Sequence, residues 1–290
     1  MNLPLSLSTQ EPNNAIMEGL EGEERRIDMT VAMAQFLEAY RFISQHAVVY
    51  LLPSRPGLQD QTYVSNLATA LPHRQAEIVV SRFRSAPRVG EAAVGFEFFK
   101  LLNFAVHSPP SQFGGAPLYF EGEADLKHIR DDLYVGARDL RTSESALRWR
   151  GERFEMEILP FPIRDPQLYH LDCCLLPLDA ETVILCTDVS EPAALKAIER
   201  RCEVIPIDLE GGYSGITNSV VLGKLLICDT TIATIRKSDP WYDRERLKMD
   251  SLERISSRQG LELKQLDMAE FYKSGAALSC MVMRLNHPRT

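Results

Sequence analysis

Apolar and polar positions follow two periods along this chain. From Thr30 to Gln45 the segment TVAMAQFLEAYRFISQ has helical spacing, with Val31, Ala34, Leu37, Tyr40 or Arg41, and Ser44 stacked on one side. Ala47–Leu52 (AVVYLL) is the longest apolar stretch and reads as a buried strand, broken by Arg55-Pro56-Gly57. Strands are expected at 62–71 and 76–83, then a helix at 90–104. The order recurs with strands at 117–122 and 132–137, a helix at 143–154 and a strand at 154–161. It recurs again with strands at 168–179 and 182–188, a helix at 191–202 with Pro192 in its first turn, and a strand at 203–208. The run 219–230 turns back at Gly223-Lys224. A long helix at 241–260 is closed by Gly260, and strand-like runs at 261–267 and 273–285 finish the pattern. Residues 1–25 are polar, carry Asn, Glu, Gly and Pro, and read as a loose leader ahead of a single domain over 26–290.

The unit strand–strand–helix–strand returns about every 55–60 residues, a repeat of pattern and not of residues. A closed ring of such units is one α/β domain with its pocket at the centre. A doubly wound parallel sheet is the alternative.

Composition narrows the function classes. With 45% hydrophobic and 25% charged residues, disorder over most of the length, collagen-like repeats and disulfide-stapled miniproteins are excluded. The balance of 32 Lys+Arg against 40 Asp+Glu leaves −8, which argues against nucleic acid as a partner and leaves room for a small cationic substrate. No run approaches the roughly 20 apolar residues that span a bilayer. The first residues lack the basic start and apolar core of a signal peptide, so the expected place is the cytoplasm, with no membrane partner. Six cysteines, none in a CxxC, read mostly as buried reduced thiols. There is no GxGxxG after a strand, no Walker loop, no GxSxG, no HExxH and no zinc spacing, so neither cofactor nor metal is expected.

Four stretches set titratable residues beside strand ends and turns: GLQDQTYVSN (57–66), FEGEAD (120–125), YHLD (169–172) and KSGAALSC (273–280). They supply Asp60, Asn66, Glu121, Asp125, His170, Asp172 and Cys280. Each has an ordinary reading by itself. His170 in an apolar strand is commonly a hydrogen-bonded core residue, Cys280 a buried thiol, Glu121 and Asp125 turn residues around Gly122, and Asp60 and Asn66 turn caps. His170 and Asp172, two apart on an expected strand, would share one face. Together, one Cys, one His and several acids have the composition of a thiol-nucleophile site.

These segments, with SRFRSAPRVGE, GARDLRTS, TNSVVLGK and CMVMRL, resemble in content and order the guanidino-group-modifying enzymes, the pentein superfamily, over about Arg55 to Leu285. That family comprises dimethylarginine dimethylaminohydrolases, arginine deiminases and dihydrolases, and amidinotransferases. The resemblance implies a five-bladed α/β propeller of pseudo-symmetric ββαβ units. It implies Cys280 as nucleophile, His170 as general acid and base, and Glu121 as the group that orients His170. It further implies Asp60 and Asp172 against a substrate guanidinium, with Asn66 where many relatives carry a second guanidinium-binding Asp. Arg88 and Arg141 would hold the substrate's α-carboxylate. Ala124, Ala276 and Ala277 stand where glycines are common, which bears on clearance beside the substrate. The expected activity is hydrolysis of arginine or a methylarginine through a thiouronium on Cys280. Amidino transfer to an amine and non-enzymatic binding are the alternatives, and a homo-oligomer is compatible with all three.

Overall fold

Four times along the chain an antiparallel strand pair is followed by a helix and a third strand parallel to the second. The computed structural model describes residues 1–285. Ahead of the repeats come α1 (Ala15–Gly19) and α2 (Met29–Ile43). The first unit is β1 (Ala68–Ala70), β2 (Glu77–Val80), α3 (Glu91–Leu101) and β3 (Ala105–His107). A small hairpin, β4 (Gln112–Phe113) with β5 (Ala116–Pro117), leads to the second unit: β6 (Leu126–Arg130), β7 (Leu133–Arg138), α4 (Glu144–Phe154) and β8 (Glu157–Pro162). The third is β9 (Leu175–Pro177), β10 (Thr182–Cys186), α5 (Pro192–Glu199) and β11 (Glu203–Ile207). After α6 (Leu209–Tyr213) the fourth is β12 (Val220–Leu222), β13 (Leu225–Asp229), α7 (Tyr242–Gln259) and β14 (Glu262–Leu266), and α8 (Ala269–Tyr272) follows.

The middle strand of each unit is paired on both sides. β10 and β13 are accordingly buried along their whole length and carry unbroken apolar runs rather than alternation. Polar caps start two of the helices: Ser143 accepts from the Ala146 N–H ahead of α4, and Asp28 from the Thr30 and Val31 N–H groups ahead of α2. Residues from near the two ends of the described segment pack on one another. Asn2 bridges Leu52 in parallel, and its side chain donates to the Leu52 carbonyl at 2.8 Å. Phe36, Ala39 and Ile43 of α2 share one apolar cluster with Leu278 and Met281.

Several expectations need correction. The buried face of α2 is Ala32, Phe36, Ala39 and Ile43, while Val31 is exposed, so the face is rotated by about one residue from the expected stripe. Ala47–Leu52 forms no strand; Val48 and Tyr50 face outward and only Leu52 is both bridged and buried. The strands expected at 62–71, 168–179 and 273–285 each begin as, or give way to, a single 3-10 turn. Residues 1–25, expected as a loose leader, are held against the body, with Asn2, Leu7 and Met17 buried. The molecule is a mixed α/β protein with five small sheets, four of three strands and one the β4–β5 hairpin. Among the described residues no helix is long and apolar enough to cross a membrane.

Candidate active site

Just ahead of its first strand, each unit makes a short buried turn: Val64–Asn66, Gly122–Ala124, Leu171–Cys173 and, in the fourth, the segment 216–219. Ser279–Met281 is the corresponding turn of the last segment. Val64–Asn66 packs on both Gly122–Ala124 and Ser279–Met281. A turn of this kind lets consecutive residues point in different directions, which a strand cannot do. His170 is extended at the head of its turn and Asp172 lies within it, so the two serve different partners instead of sharing a face.

His170 is held on both nitrogens. Nδ1 lies 2.9 Å from Asp125 Oδ1, which also accepts the Leu171 N–H at 3.2 Å. Asp125 Oδ2 accepts the Thr142 hydroxyl at 2.7 Å. Nε2 faces the Asn66 amide nitrogen at 3.0 Å and Glu121 Oε2 at 3.4 Å. A carboxylate only accepts, so an imidazole hydrogen on Nδ1 points at Asp125, while Nε2 stands between the Asn66 amide and the Glu121 carboxylate. The carboxylate hydrogen-bonded to Nδ1 is Asp125, to which the sequence reading gave no role, and Glu121 stands at Nε2. Asn66 likewise serves His170 in this structure.

Glu121 is fully buried, and neither carboxylate oxygen has a hydrogen-bond donor. The basic groups beside it are His170 Nε2 and Arg141 Nη1, the latter 3.5 Å from Oε1. Arg141 also donates to the Asn13 carbonyl and lies over the Tyr169 ring, 5.1 Å from its centroid. Tyr169 in turn tilts against the His170 ring and donates its hydroxyl to the Gly275 carbonyl at 2.7 Å. Arg88 is buried and bound to Glu91 through Nε and Nη2 at 2.9 and 2.8 Å, with Nη2 also reaching the carbonyls of Asp60 and Tyr63. Most of its donors thus serve the protein.

Around Cys280 the contacts are close. Sγ lies 3.4 Å from Asp172 Oδ2 and 3.5 Å from the Asn218 amide nitrogen. The Ser279 hydroxyl donates to the same Asp172 oxygen at 2.9 Å. Burial, and next the Asp172 charge, push the thiol up to about 12. Asp60 is buried too; burial raises its carboxyl, against the Arg88 charge and the Asn13 side chain that donates to Oδ2 at 2.5 Å. Asn13 and Asn14 were not singled out by the sequence. Asn14 donates to the Ser274 carbonyl at 3.0 Å, so the leader ties the Asp60 loop to the loop that carries Cys280. A cavity of about 600 Å³ lies elsewhere, between Leu52, Leu67, Phe99 and Leu285, and none of the candidate residues lines it. Among the described residues no group of three or more His, Cys, Asp and Glu is arranged to hold a metal ion.

No protein-family profile matches the chain. It is 28% identical over 238 residues to an uncharacterised protein of Caenorhabditis elegans, covering 82% of this chain and 77% of that one. It is 22% identical over 273 residues to the bifunctional arginine dihydrolase/ornithine cyclodeaminase AgrE of a Nostoc species, covering 93% of this chain but only 35% of that one. The chain thus spans about a third of the bifunctional relative. Among solved structures it superposes on the N-terminal domain of ArgZ, a cyanobacterial arginine dihydrolase bound to product, with a TM-score of 0.85 at 20% identity, covering 99% of this chain and 97% of that one. On a dimethylarginine dimethylaminohydrolase the TM-score is 0.69 at 18% identity, with 94% and 96% covered.

Proposed function

We propose that this chain, which has the fold of the guanidino-group-modifying enzymes, is a cysteine-dependent hydrolase of arginine or a methylarginine. On this reading the four ββαβ units and the joined chain ends are five blades around one site. One observation carries the reading: the Glu121 carboxyl group is buried with no hydrogen-bond donor on either oxygen, beside the Nε2 of a histidine whose Nδ1 is held by Asp125. Such a group is costly unless a ligand supplies donors. A guanidinium supplies them as a planar cation with several N–H groups. Asp172, against the sulfur, is the second carboxylate for that cation.

The steps follow from the residues. Bound cation opposes the burial and the Asp172 charge that hold the Cys280 thiol at about 12, so thiolate forms when substrate arrives. The thiolate attacks the guanidinium carbon. Nε2 of His170 takes up the proton that the thiol releases and passes it to the departing amine, since an amine leaves well only when protonated. An S-linked amidinium remains on Cys280. Water then attacks with Nε2 as base, and the ureido product leaves; a second round at that carbon would release a second ammonia. Arg141 and the unengaged Nη1 of Arg88 are the groups for the α-carboxylate, with Asp60 alongside, held by Asn13.

Incubation with arginine and methylated arginines, following ammonia, methylamine, citrulline and ornithine, tests this. Turnover is expected, and Cys280→Ser is expected to lower it on the order of 10³-fold or more. Absence of turnover with every guanidino compound, or an unaffected Cys280→Ser protein, overturns the reading.

A further inference from the structure

Asn218 lies in the TNS segment of the fourth unit, for which neither the sequence reading nor the reaction scheme above has a use. It is 4% exposed and meets the nucleophile's turn at two atoms. Its Oδ1 accepts the Ser279 N–H at 3.0 Å, and its Nδ2 stands 3.5 Å from Cys280 Sγ. The first contact settles the second. A backbone N–H needs an acceptor, so the oxygen must face Ser279 and the NH₂ is left facing sulfur. Oδ1 is farther from the sulfur, at 3.9 Å. A neutral donor fixed in this way, in a site closed to water, favours the charged form of the atom it faces.

We propose that Asn218 is a catalytic residue that donates a hydrogen bond to Cys280 Sγ and stabilises its thiolate. The surroundings make such a donor necessary. The other side chain on the sulfur is Asp172, whose charge disfavours a second anion, and burial acts in the same direction. His170 faces Asp125, Asn66 and Glu121, and no hydrogen bond joins it to the sulfur in this structure. Until a cationic substrate binds, the Asn218 amide and the Ala277 backbone are what oppose those two effects. The proposal extends the hydrolase reading by adding a donor at the reacting atom. It also fits the segment's place in the fold, since the 216–219 turn is the fourth unit's counterpart of the turns that carry Asn66, Asp125 and Asp172.

The test does not depend on knowing the substrate. Iodoacetamide alkylation of Cys280 is followed by peptide mass spectrometry against pH, with Cys280→Ser as the blank. Asn218→Leu removes the donor without adding charge; Asn218→Asp keeps the acceptor for Ser279 and replaces the donor with an acceptor. The Ser279 N–H also reaches the Asn218 main-chain oxygen at 3.4 Å, so the turn keeps one tie in both variants. Both variants are expected to alkylate at Cys280 roughly tenfold more slowly at a given pH, the aspartate slowest, because one unit in a thiol's pKa is about tenfold in thiolate. Thermal melts identify a variant that fails to fold, and the folded one of the pair then decides. A rate within about twofold of the wild type across the pH series in a folded variant overturns the proposal. Because alkylation reads the sulfur alone, failure of every guanidino substrate would overturn the hydrolase reading and leave this result standing.

Discussion

Asp125 fixes the His170 ring through Nδ1. Its Oδ1 takes both the Nδ1 hydrogen and the Leu171 N–H, and Thr142 fixes Oδ2. In Asp125→Asn an amide can turn its NH₂ toward Nδ1, which would move the ring hydrogen to Nε2. A base presented in the wrong tautomer loses about 10²–10⁴ in kcat; steady-state kinetics should show that loss with KM changed only a few-fold. The buried Arg88–Glu91 pair predicts a pH effect on stability. Burial lifts the Glu91 carboxyl from 4.5 to about 7 although Arg88 opposes it. The folded state then binds more protons than the unfolded chain between about pH 4.5 and 7, so this group makes stability fall as pH rises through that window and adds no slope above it. Denaturant melts at pH 5 and 7 should show a smaller fall for Glu91→Gln than for the wild type. At this scale the sequence pointed to the titratable groups as types, and the structure sets Glu121 beside His170 and Asp172 beside Cys280. The sequence was silent on roles that arise through space. Asn13 reaches Asp60 across 47 positions and Asn218 reaches Cys280 across 62, and neither has a local signal.

Elements were legible wherever a regular period ran long enough. The helices at 91–101, 144–154, 192–199 and 242–259 lie where spacing and caps put them. The errors cluster at the turns that build the site. Val64–Asn66, Leu171–Cys173 and Ser279–Met281 are three-residue turns in apolar surroundings, and a short buried apolar run looks like a strand whichever way its backbone goes. The turns hold by close backbone approach, and Gly122 shows how close. Its φ is +61°, and a Cβ there would stand 2.3 Å from the Ser65 carbonyl oxygen and 2.5 Å from the Asn66 carbonyl carbon. Gly260, at the end of α7, has a similar φ of +65° with nothing within 4 Å of such a Cβ. The two positions separate conformational strain from collision. Gly260→Ala should cost about 1 kcal/mol. Gly122→Ala should cost several times as much, on the order of 3 kcal/mol, because backbone must move. It should also impair turnover, since Glu121 and Asn66 flank the displaced contact. Thermal melts of the two variants compare them directly; equal losses would refute the close-approach argument.

For the whole molecule, the repeat of strand–strand–helix–strand was readable, and the packing of the first residues on the last segment was not, because no continuous stretch encodes it. Those parts meet only after folding, as the 260-residue separation of Asn14 from Ser274 shows. That arrangement divides stability from function in a way that can be measured. Three of the four apolar clusters contain no residue before Leu52, while Leu7, Met1 and Leu3 belong to or pack on the remaining one. A chain lacking residues 1–14 should therefore still fold cooperatively, with a lower melting temperature. Its site should suffer more than its fold. Asp60 loses the Asn13 side chain, Arg141 loses the Asn13 carbonyl, and the Ser274 carbonyl loses Asn14. A hydrogen bond to a charged group is worth about 1.5–3 kcal/mol, which corresponds to roughly 10–100-fold in kcat/KM per bond felt by the substrate. A truncated protein that melts in a single transition yet has lost at least about tenfold in kcat/KM would place the leader in the substrate site. Unchanged kcat/KM would make it a structural strap alone, because the Asp60 and Cys280 loops would then hold their positions without it.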